Sequence, residues 1–322
     1  MNETIVFMFS GQGSQYYQMG RELYEEHPRF KLWMNHCNQI VSPLIEVSLI
    51  DVLYGKHNKS EPFDRILYTN PALISIEYSL AKILIEAGIK PDIFLGYSLG
   101  EITAAILSQG MSLEQGLQLS IEFAKLLERE SPAAGMLAIM ESEGIISKFP
   151  ELFENCWLSG QNFHNNFVVS GLSEEIHILQ KTLHRKNIIS QRLAVNYGFH
   201  SKIMDPLEAH FKFFAQNIHF FKLRTPVVSC LTSESLLELD ERYLWNLVRD
   251  RVNFKKTIEN LVKHGDYIFI DVGPSGTLST LVKYLLPAHS KSIYMETMNQ
   301  YGRNLDSLKK LNNHFEHKPS FV

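Results

Sequence analysis

Ile93-Phe94-Leu95-Gly96-Tyr97-Ser98-Leu99-Gly100-Glu101-Ile102 is the stretch on which the fold of this chain turns. A short apolar run meets G-x-S-x-G and passes at once into a helical pattern through Ile102, Ala105 and Ile106. A strand that turns so tightly into a helix needs small residues on either side of the serine. It leaves the hydroxyl exposed at a helix N-terminus with backbone N–H groups close by. The bare pattern is common by chance, and the competing reading is an ordinary Gly-rich turn. The strand before it and the helix after it give the pattern its weight.

The same texture extends outward. Residues 5–9 read as a second buried strand, ending in Ser10-Gly11-Gln12-Gly13, with a helix expected through Tyr16, Met19 and Leu23. Residues 71–87 predict a long helix with Pro71 in its first turn, and residues 113–127 another. Residues 266–271 predict a strand, followed by Gly273-Pro274-Ser275-Gly276 and a helix. Short strands alternating with longer helices predict an α/β fold with a largely parallel sheet. The middle differs: strands at 135–140, 166–170 and 188–193 with a helix at 174–183 predict a small α+β unit inserted in the larger domain. The division expected is 1–131 and 201–322 for the large part and 132–200 for the small one.

Composition bounds the function. The chain has 322 residues, 31 Lys+Arg against 35 Asp+Glu, a net charge of −4, 45% hydrophobic and 20% charged residues. That apolar content excludes disorder as the main state, and the charge gives no basic footprint for nucleic acid. Cys37, Cys156 and Cys230 form no CxxC pair, which fits neither a disulfide framework nor a zinc site and points to a reducing compartment. The opening Met1-Asn2-Glu3-Thr4 carries no positive charge, the apolar run after it is short, and no window nears the ~18 apolar residues of a membrane span. The expectation is a cytoplasmic protein with no membrane, metal or cofactor requirement.

A nucleophilic serine needs a base. No aspartate lies between Ser98 and His200, so the Ser, Asp, His order of a hydrolase triad is not supported, and a neutral carbonyl or amide is left to orient the base. Among thirteen histidines, His200 ends the strand-like run Val195-Asn196-Tyr197-Gly198-Phe199-His200, where the chain leaves the small unit. That junction faces a cleft, which favours it over His164 and His264. The turn Gly11-Gln12-Gly13-Ser14-Gln15 permits close backbone approach, and its N–H groups are suited to an oxyanion hole. With Tyr16 at the last position it is not G-x-G-x-x-G, and no G-x-x-x-x-G-K-S/T is present, which disfavours a nucleotide site.

Together these residues resemble the acyltransferase family typified by malonyl-CoA:acyl-carrier-protein transacylase, over nearly the whole chain. Phe9-Ser10-Gly11-Gln12-Gly13-Ser14-Gln15 is similar to that family's F-P-G-Q-G-S-Q, with Ser10 for proline. Thr69-Asn70-Pro71-Ala72-Leu73 is similar to T-Q-P-A-L, and Gly96 to Glu101 to G-H-S-L-G-E with Tyr97 for histidine. Asn162 with Val168-Val169-Ser170-Gly171, Phe199-His200-Ser201 and Asp271-Val272-Gly273-Pro274 resemble three further motifs in the family's order. The resemblance implies a hydrolase-like large subdomain, a ferredoxin-like small one and a site between them. It implies Ser98 as nucleophile, His200 as base, and the backbone N–H groups of Gln12 and Leu99 as oxyanion donors. The acyl pocket it implies includes Tyr97, Glu122, Phe123, Asn162, Phe199 and Asn70. The substrate it implies is an acyl thioester on the phosphopantetheine of an acyl carrier protein, with acyl-CoA as a further donor.

Three departures carry information. Malonyl-loading members have an arginine on the second helix after the nucleophile, whose planar fork binds the free carboxylate. Here that position falls at Glu122 or Phe123, and no Arg or Lys occurs from Leu99 to Ala124. An unpaired desolvated carboxylate is expensive, so neutral acyl groups are expected. Tyr97 replaces the histidine beside the nucleophile. The Asn or Gln whose carbonyl orients the catalytic histidine falls at Leu247, with Asn246 adjacent, and a backbone carbonyl is left as the alternative.

Loss of the arginine resembles the acyl hydrolases of polyketide synthase systems with free-standing acyltransferases, which remove stalled acyl chains from carrier proteins. Three readings result: such a hydrolase; a transacylase for malonyl or another acyl group, with a basic residue such as Arg192 reaching the pocket; and an inactive carrier-protein-binding scaffold. Retention of both Ser98 and His200 opposes the last.

Overall fold

In the computed structural model, which describes residues 4–316, the chain opens with β1 (Thr4–Phe9), whose last four residues are buried. The opening residues 1–3, used above in reading the N-terminus, lie outside the described residues. Helices α1 (Arg21–Glu26), α2 (Pro28–Ile45), α3 (Leu49–Tyr54) and α4 (Ile66–Glu86) follow. Then come β2 (Ile93–Gly96), α5 (Gly100–Leu107) and α6 (Leu113–Glu130). The next segment contains β3 (Ala134–Ile139), α7 (Gly144–Lys148), β4 (Cys156–Phe163), β5 (Asn166–Leu172), α8 (Ser173–Arg185) and β6 (Ser190–Arg192). The chain closes with α9 (Glu208–Ala215), β7 (Val227–Ser229), α10 (Glu241–Arg249), α11 (Phe254–Val262), β8 (Tyr267–Asp271), α12 (Thr277–Leu285), β9 (Ile293–Glu296) and α13 (Asn304–Glu316).

The fold is α/β, with a five-stranded parallel sheet in the order β7-β2-β1-β8-β9 and a separate four-stranded antiparallel sheet in the order β4-β5-β3-β6. The small sheet follows the chain order β-α-β-β-α-β, the ferredoxin-like pattern. Register positions the site. Phe9 pairs with Gly96 and Met8 with Asp271, so β1, β2 and β8 end at one level and their following turns lie side by side. In open parallel sheets, that carboxyl edge is where ligands gather. The small sheet is tied to the large part where Val252, in the connection between α10 and α11, exchanges hydrogen bonds with Ser159 and Gln161 of β4.

Several local expectations are corrected. The helix read through Tyr16 and Met19 starts only at Arg21, because Gln18 and Gly20 take left-handed φ of 69° and 73° and break any earlier turn. Pro71 lies inside α4 rather than in its first turn: the helix begins at Ile66, and the N–H that proline lacks costs it one internal bond. β4 carries no clear strand signal in the sequence, because two register irregularities, at Leu158/Gly160 and Gln161/Phe163, break its alternation. The run 195–200 is not a strand but an irregular connection. Among the described residues, no helix is long and apolar enough to cross a membrane.

Candidate active site

The turn after β2 is sterically forced. A Cβ on Gly96 would lie 2.3 Å from the Cα of Glu101, and one on Gly100 would lie 2.1 Å from the carbonyl oxygen of Phe9. Ser98 itself holds φ 53°, the left-handed region in which a side chain is strained. Only with glycines at both flanks can β2 enter α5 so abruptly and lift the Ser98 side chain off the sheet edge.

His200 arrives from the irregular 195–200 segment, also with a left-handed φ of 59°. Its backbone is fixed by His200 N–H donating to Val248 O at 2.9 Å, and by Ser170 Oγ donating to the neighbouring Phe199 O at 2.5 Å. Its Nε2 lies 2.8 Å from Ser98 Oγ, and its Nδ1 lies 2.8 Å from the backbone carbonyl oxygen of Asp250. A carbonyl only accepts, so Nδ1 carries the proton and Nε2 is the acceptor for the Ser98 hydroxyl. Burial pushes the imidazole down to about 4, although the Asp250 carbonyl opposes this, so the ring is neutral near pH 7. A serine hydroxyl on a neutral, carbonyl-oriented imidazole is an arrangement that can generate a nucleophile.

The expected orienting residues are corrected. Leu247 instead lines the cleft beside Ser98, and the Asn246 carbonyl accepts from Asp250 N–H at the end of α10. That bond sets the Asp250 peptide whose own carbonyl holds His200. The acceptor is a main-chain atom, for which residue type carries no signal.

The turn after β1 packs directly on the Ser98 turn: a Cβ on Gly11 would lie 2.8 Å from Tyr97 O. Neither the Gln12 N–H nor the Leu99 N–H has a hydrogen-bond partner among the described residues, and both residues line the cleft at Ser98. The Gln12 side chain is tied back by its Nε2 donating to Asn70 Oδ1 at 2.6 Å and to Thr69 Oγ1 at 2.9 Å.

Two chambers flank the pair. The first, about 50 Å³, is lined by Gln12, Asn70, Ser98, Leu99, Ser120 and an apolar wall that includes Phe123, Phe199, Phe211 and Leu247. No charged residue lines it, and Asn70, which donates to Ser120 O, and Gln12 satisfy each other. Glu122 is corrected: it lines neither chamber and is half-exposed on α6, paired with Lys125 at 3.0 Å, because one helical step turns it about 100° away from Phe123. The second chamber, about 130 Å³, opens between the two sheets and reaches Ser98 and His200 from the other side. Tyr97 and Asn162 belong to this one and not to the first. The Tyr97 hydroxyl donates to Asn162 Oδ1 at 2.8 Å, joining the Ser98 turn to β4. Arg192 lines neither chamber; it stands over Gly135 and donates to Ser173 Oγ. Among the described residues, no cluster of His, Cys, Asp and Glu is placed to hold a metal.

A family model described as the acyl transferase domain matches residues 6–313. The chain belongs to that family. It is 39% identical to the polyketide biosynthesis acyltransferase homolog PksD of Bacillus subtilis, over 96% of this chain and 95% of that one. It is 36% identical to the homolog BaeD of Bacillus velezensis, over 97% and 96%. Among solved structures, the acyltransferase domain from the second module of the salinomycin polyketide synthase matches with a TM-score of 0.86 at 26% identity, covering 98% of this chain and 74% of that one. The malonyl CoA-acyl carrier protein transacylase of Clostridium perfringens shares the fold, with a TM-score of 0.80 at 23% identity over 97% and 98%. Within this acyl transferase fold, the site residues that sequence patterning missed are Ile102, Leu119, Phe211, Leu244 and Val248 of the first chamber, each indistinguishable in sequence from ordinary core.

Proposed function

We propose that this acyl transferase-family protein is a cytoplasmic hydrolase of neutral acyl thioesters carried on the phosphopantetheine of acyl carrier proteins, with acyl-CoA as a lesser donor. The observation that carries the reading is the first chamber. Beside Ser98 it presents Phe123 and other apolar walls, no cation, and polar groups already bonded to each other. A malonyl carboxylate placed there would lose its water without gaining a partner. A cavity of about 50 Å³ has room for roughly four water-sized spheres, which suits a short acyl group.

In the mechanism, Ser98 Oγ attacks the thioester carbonyl while His200 Nε2 takes its proton. The developing oxyanion is held by the Gln12 and Leu99 N–H groups, each worth about 3 kcal/mol of barrier. The C–S bond breaks, the thiolate takes the proton from Nε2, and an acyl-Ser98 ester remains. Water then attacks that ester, giving its proton to Nε2, which passes it to Ser98 Oγ as the ester C–O bond breaks and the free acid leaves. The names of PksD and BaeD favour a second reading, transfer of the same neutral acyl group to another carrier thiol. The two diverge only at the last acceptor.

The test is intact-protein mass spectrometry with malonyl-CoA and, separately, with acetyl- or butyryl-carrier protein, while free acid is assayed. A neutral acyl adduct absent from Ser98→Ala, with acid release and little malonyl loading, is the expected result. Stable malonyl loading passed on to a carrier protein would overturn it. Adduct formation with no acid release, but with discharge to a second carrier protein, would favour transfer.

A further inference from the structure

The Gly11–Gln12 peptide carries at one end the carbonyl that Ser14 holds and at the other the N–H that the mechanism uses. A peptide is planar, so whatever fixes one end aims the other. Ser14 Oγ lies 2.9 Å from Gly11 O and 2.8 Å from Ser10 Oγ, and Ser10 Oγ lies 2.8 Å from Glu77 Oε1. Three consecutive oxygen–oxygen contacts of this length need three protons, one in each. Gly11 O supplies none, and the Ser10 and Ser14 hydroxyls supply one apiece. The third must come from the Glu77 carboxyl. With Glu77 ionised, one contact would set lone pair against lone pair.

We infer that Glu77 is held as the neutral acid and acts as a positioning residue for the oxyanion hole. It donates to Ser10, Ser10 to Ser14 and Ser14 to the Gly11 carbonyl, and this one-directional chain aims the Gln12 N–H at the space beside Ser98. The inference rests on the oxyanion role given above to Gln12.

The surroundings of Glu77 agree. Ser10 N–H also donates to Oε1, at 2.6 Å, and the Thr103 hydroxyl donates to Oε2 at 2.9 Å. In this arrangement Oε1 is the acid hydroxyl, accepting from Ser10 N–H while it donates to Ser10 Oγ, and Oε2 is the carbonyl oxygen that accepts from Thr103. Glu77 is 1% exposed and pairs with no cation among the described residues. The charged neighbour that acts on it is Asp271, itself a buried acid. Burial pushes the Glu77 carboxyl up to about 8. Thr103 lies one turn along α5 from Leu99, so the same carboxyl also ties the Gln12 loop to the helix bearing the second donor. A proline in place of Ser10 would have neither the N–H nor the hydroxyl.

Two arms test this. In infrared difference spectra at pH 7, the wild type minus Glu77→Gln should show the C=O stretch of a protonated carboxyl, isolated by subtraction from Glu101 and Asp271. Ser14→Ala, which leaves Glu77 in place, should shift that band. In single-turnover acylation, Ser14→Ala should lose about tenfold in rate, short of the ~10²–10³ for removing an oxyanion donor outright, with KM and melting temperature near wild type. A merely structural role would move the melting temperature and leave the rate. No acid band in the wild type, or none perturbed in Ser14→Ala if Glu77→Gln does not fold, would overturn the proton assignment. A wild-type rate in Ser14→Ala would overturn the aiming. If the wild type forms no acyl-Ser98 at all, the functional reading fails, and the infrared arm still decides the proton on Glu77.

Discussion

His200 is held by the main chain of Asp250 and not by its side chain: Nδ1 lies 2.8 Å from the Asp250 carbonyl oxygen, while the Asp250 carboxylate sits 3.8 Å from the Arg249 guanidinium. Replacing the side chain leaves the carbonyl in place. Asp250→Ala is therefore expected to hydrolyse acyl-carrier protein within about threefold of wild type. In a serine protease triad, loss of the carboxylate that orients the histidine costs about 10⁴ in kcat. A loss of that size on steady-state assay would mean that the carboxylate, and not the carbonyl, orients the ring.

The pH dependence of acylation follows from the same histidine. Its neutral form accepts the Ser98 proton, and burial lowers it to about 4. Single-turnover acylation should rise with pH through about 4, be level from about pH 6, and fall again as Glu77 loses its proton around pH 8. An inflection near the ordinary histidine value of about 6.5 would show that the ring is not desolvated as the buried geometry requires.

Phe123 should control the charge of the acyl group. Phe123→Arg places a guanidinium in the first chamber, which Phe123, 5% exposed, lines together with Ser98. The expected outcome on intact-mass analysis is a higher ratio of malonyl to acetyl adduct than in wild type, with lower thermal stability from the buried charge. An unchanged ratio would remove the argument from the missing carboxylate fork.

The Ser98 turn should tolerate no side chain at its flanks. Gly100→Ala drives a methyl group to within 2.1 Å of the Phe9 carbonyl oxygen, a backbone atom that cannot rotate away. A destabilisation of about 3 kcal/mol, at the upper end of ordinary overpacking, is expected on chemical denaturation. A variant as stable as wild type would mean that β1 and α5 are not locked together as described.

The buried acids should make stability fall as pH rises. Burial pushes Glu77 up to about 8, and Glu101 and Asp271 up to about 7. A carboxyl whose folded value is raised contributes stability that is complete below its unfolded value of about 4.5 and is lost as pH climbs through the folded one. The melting temperature of wild type minus that of Glu77→Gln should therefore decrease from pH 4.5 to pH 8. A pH-independent difference in calorimetry would mean that Glu77 does not titrate in that window.

The strand–turn–helix around Ser98, the matching turn after β1, the α/β alternation and the inserted small unit were all legible in the sequence. So was the absence of any cation from Leu99 to Ala124. These features rest on short-range sterics and on periodicity, which residue types report directly: a glycine where a Cβ has no room, an apolar run where a strand is buried.

Tertiary structure decided the rest. It put Phe123 and not Glu122 beside the serine, because one helical step is about 100° and the motif register left both open. It separated Tyr97 and Asn162 from the first chamber, since the cleft between two sheets has no local pattern. It chose a backbone carbonyl over Asn246 or Leu247 as the support for His200, and it joined Glu77 to Gly11 through two serines. Such contacts join a side chain to a main-chain carbonyl, or side chains far apart in the chain. Their protons and directions are fixed only when the fold brings them within hydrogen-bonding distance.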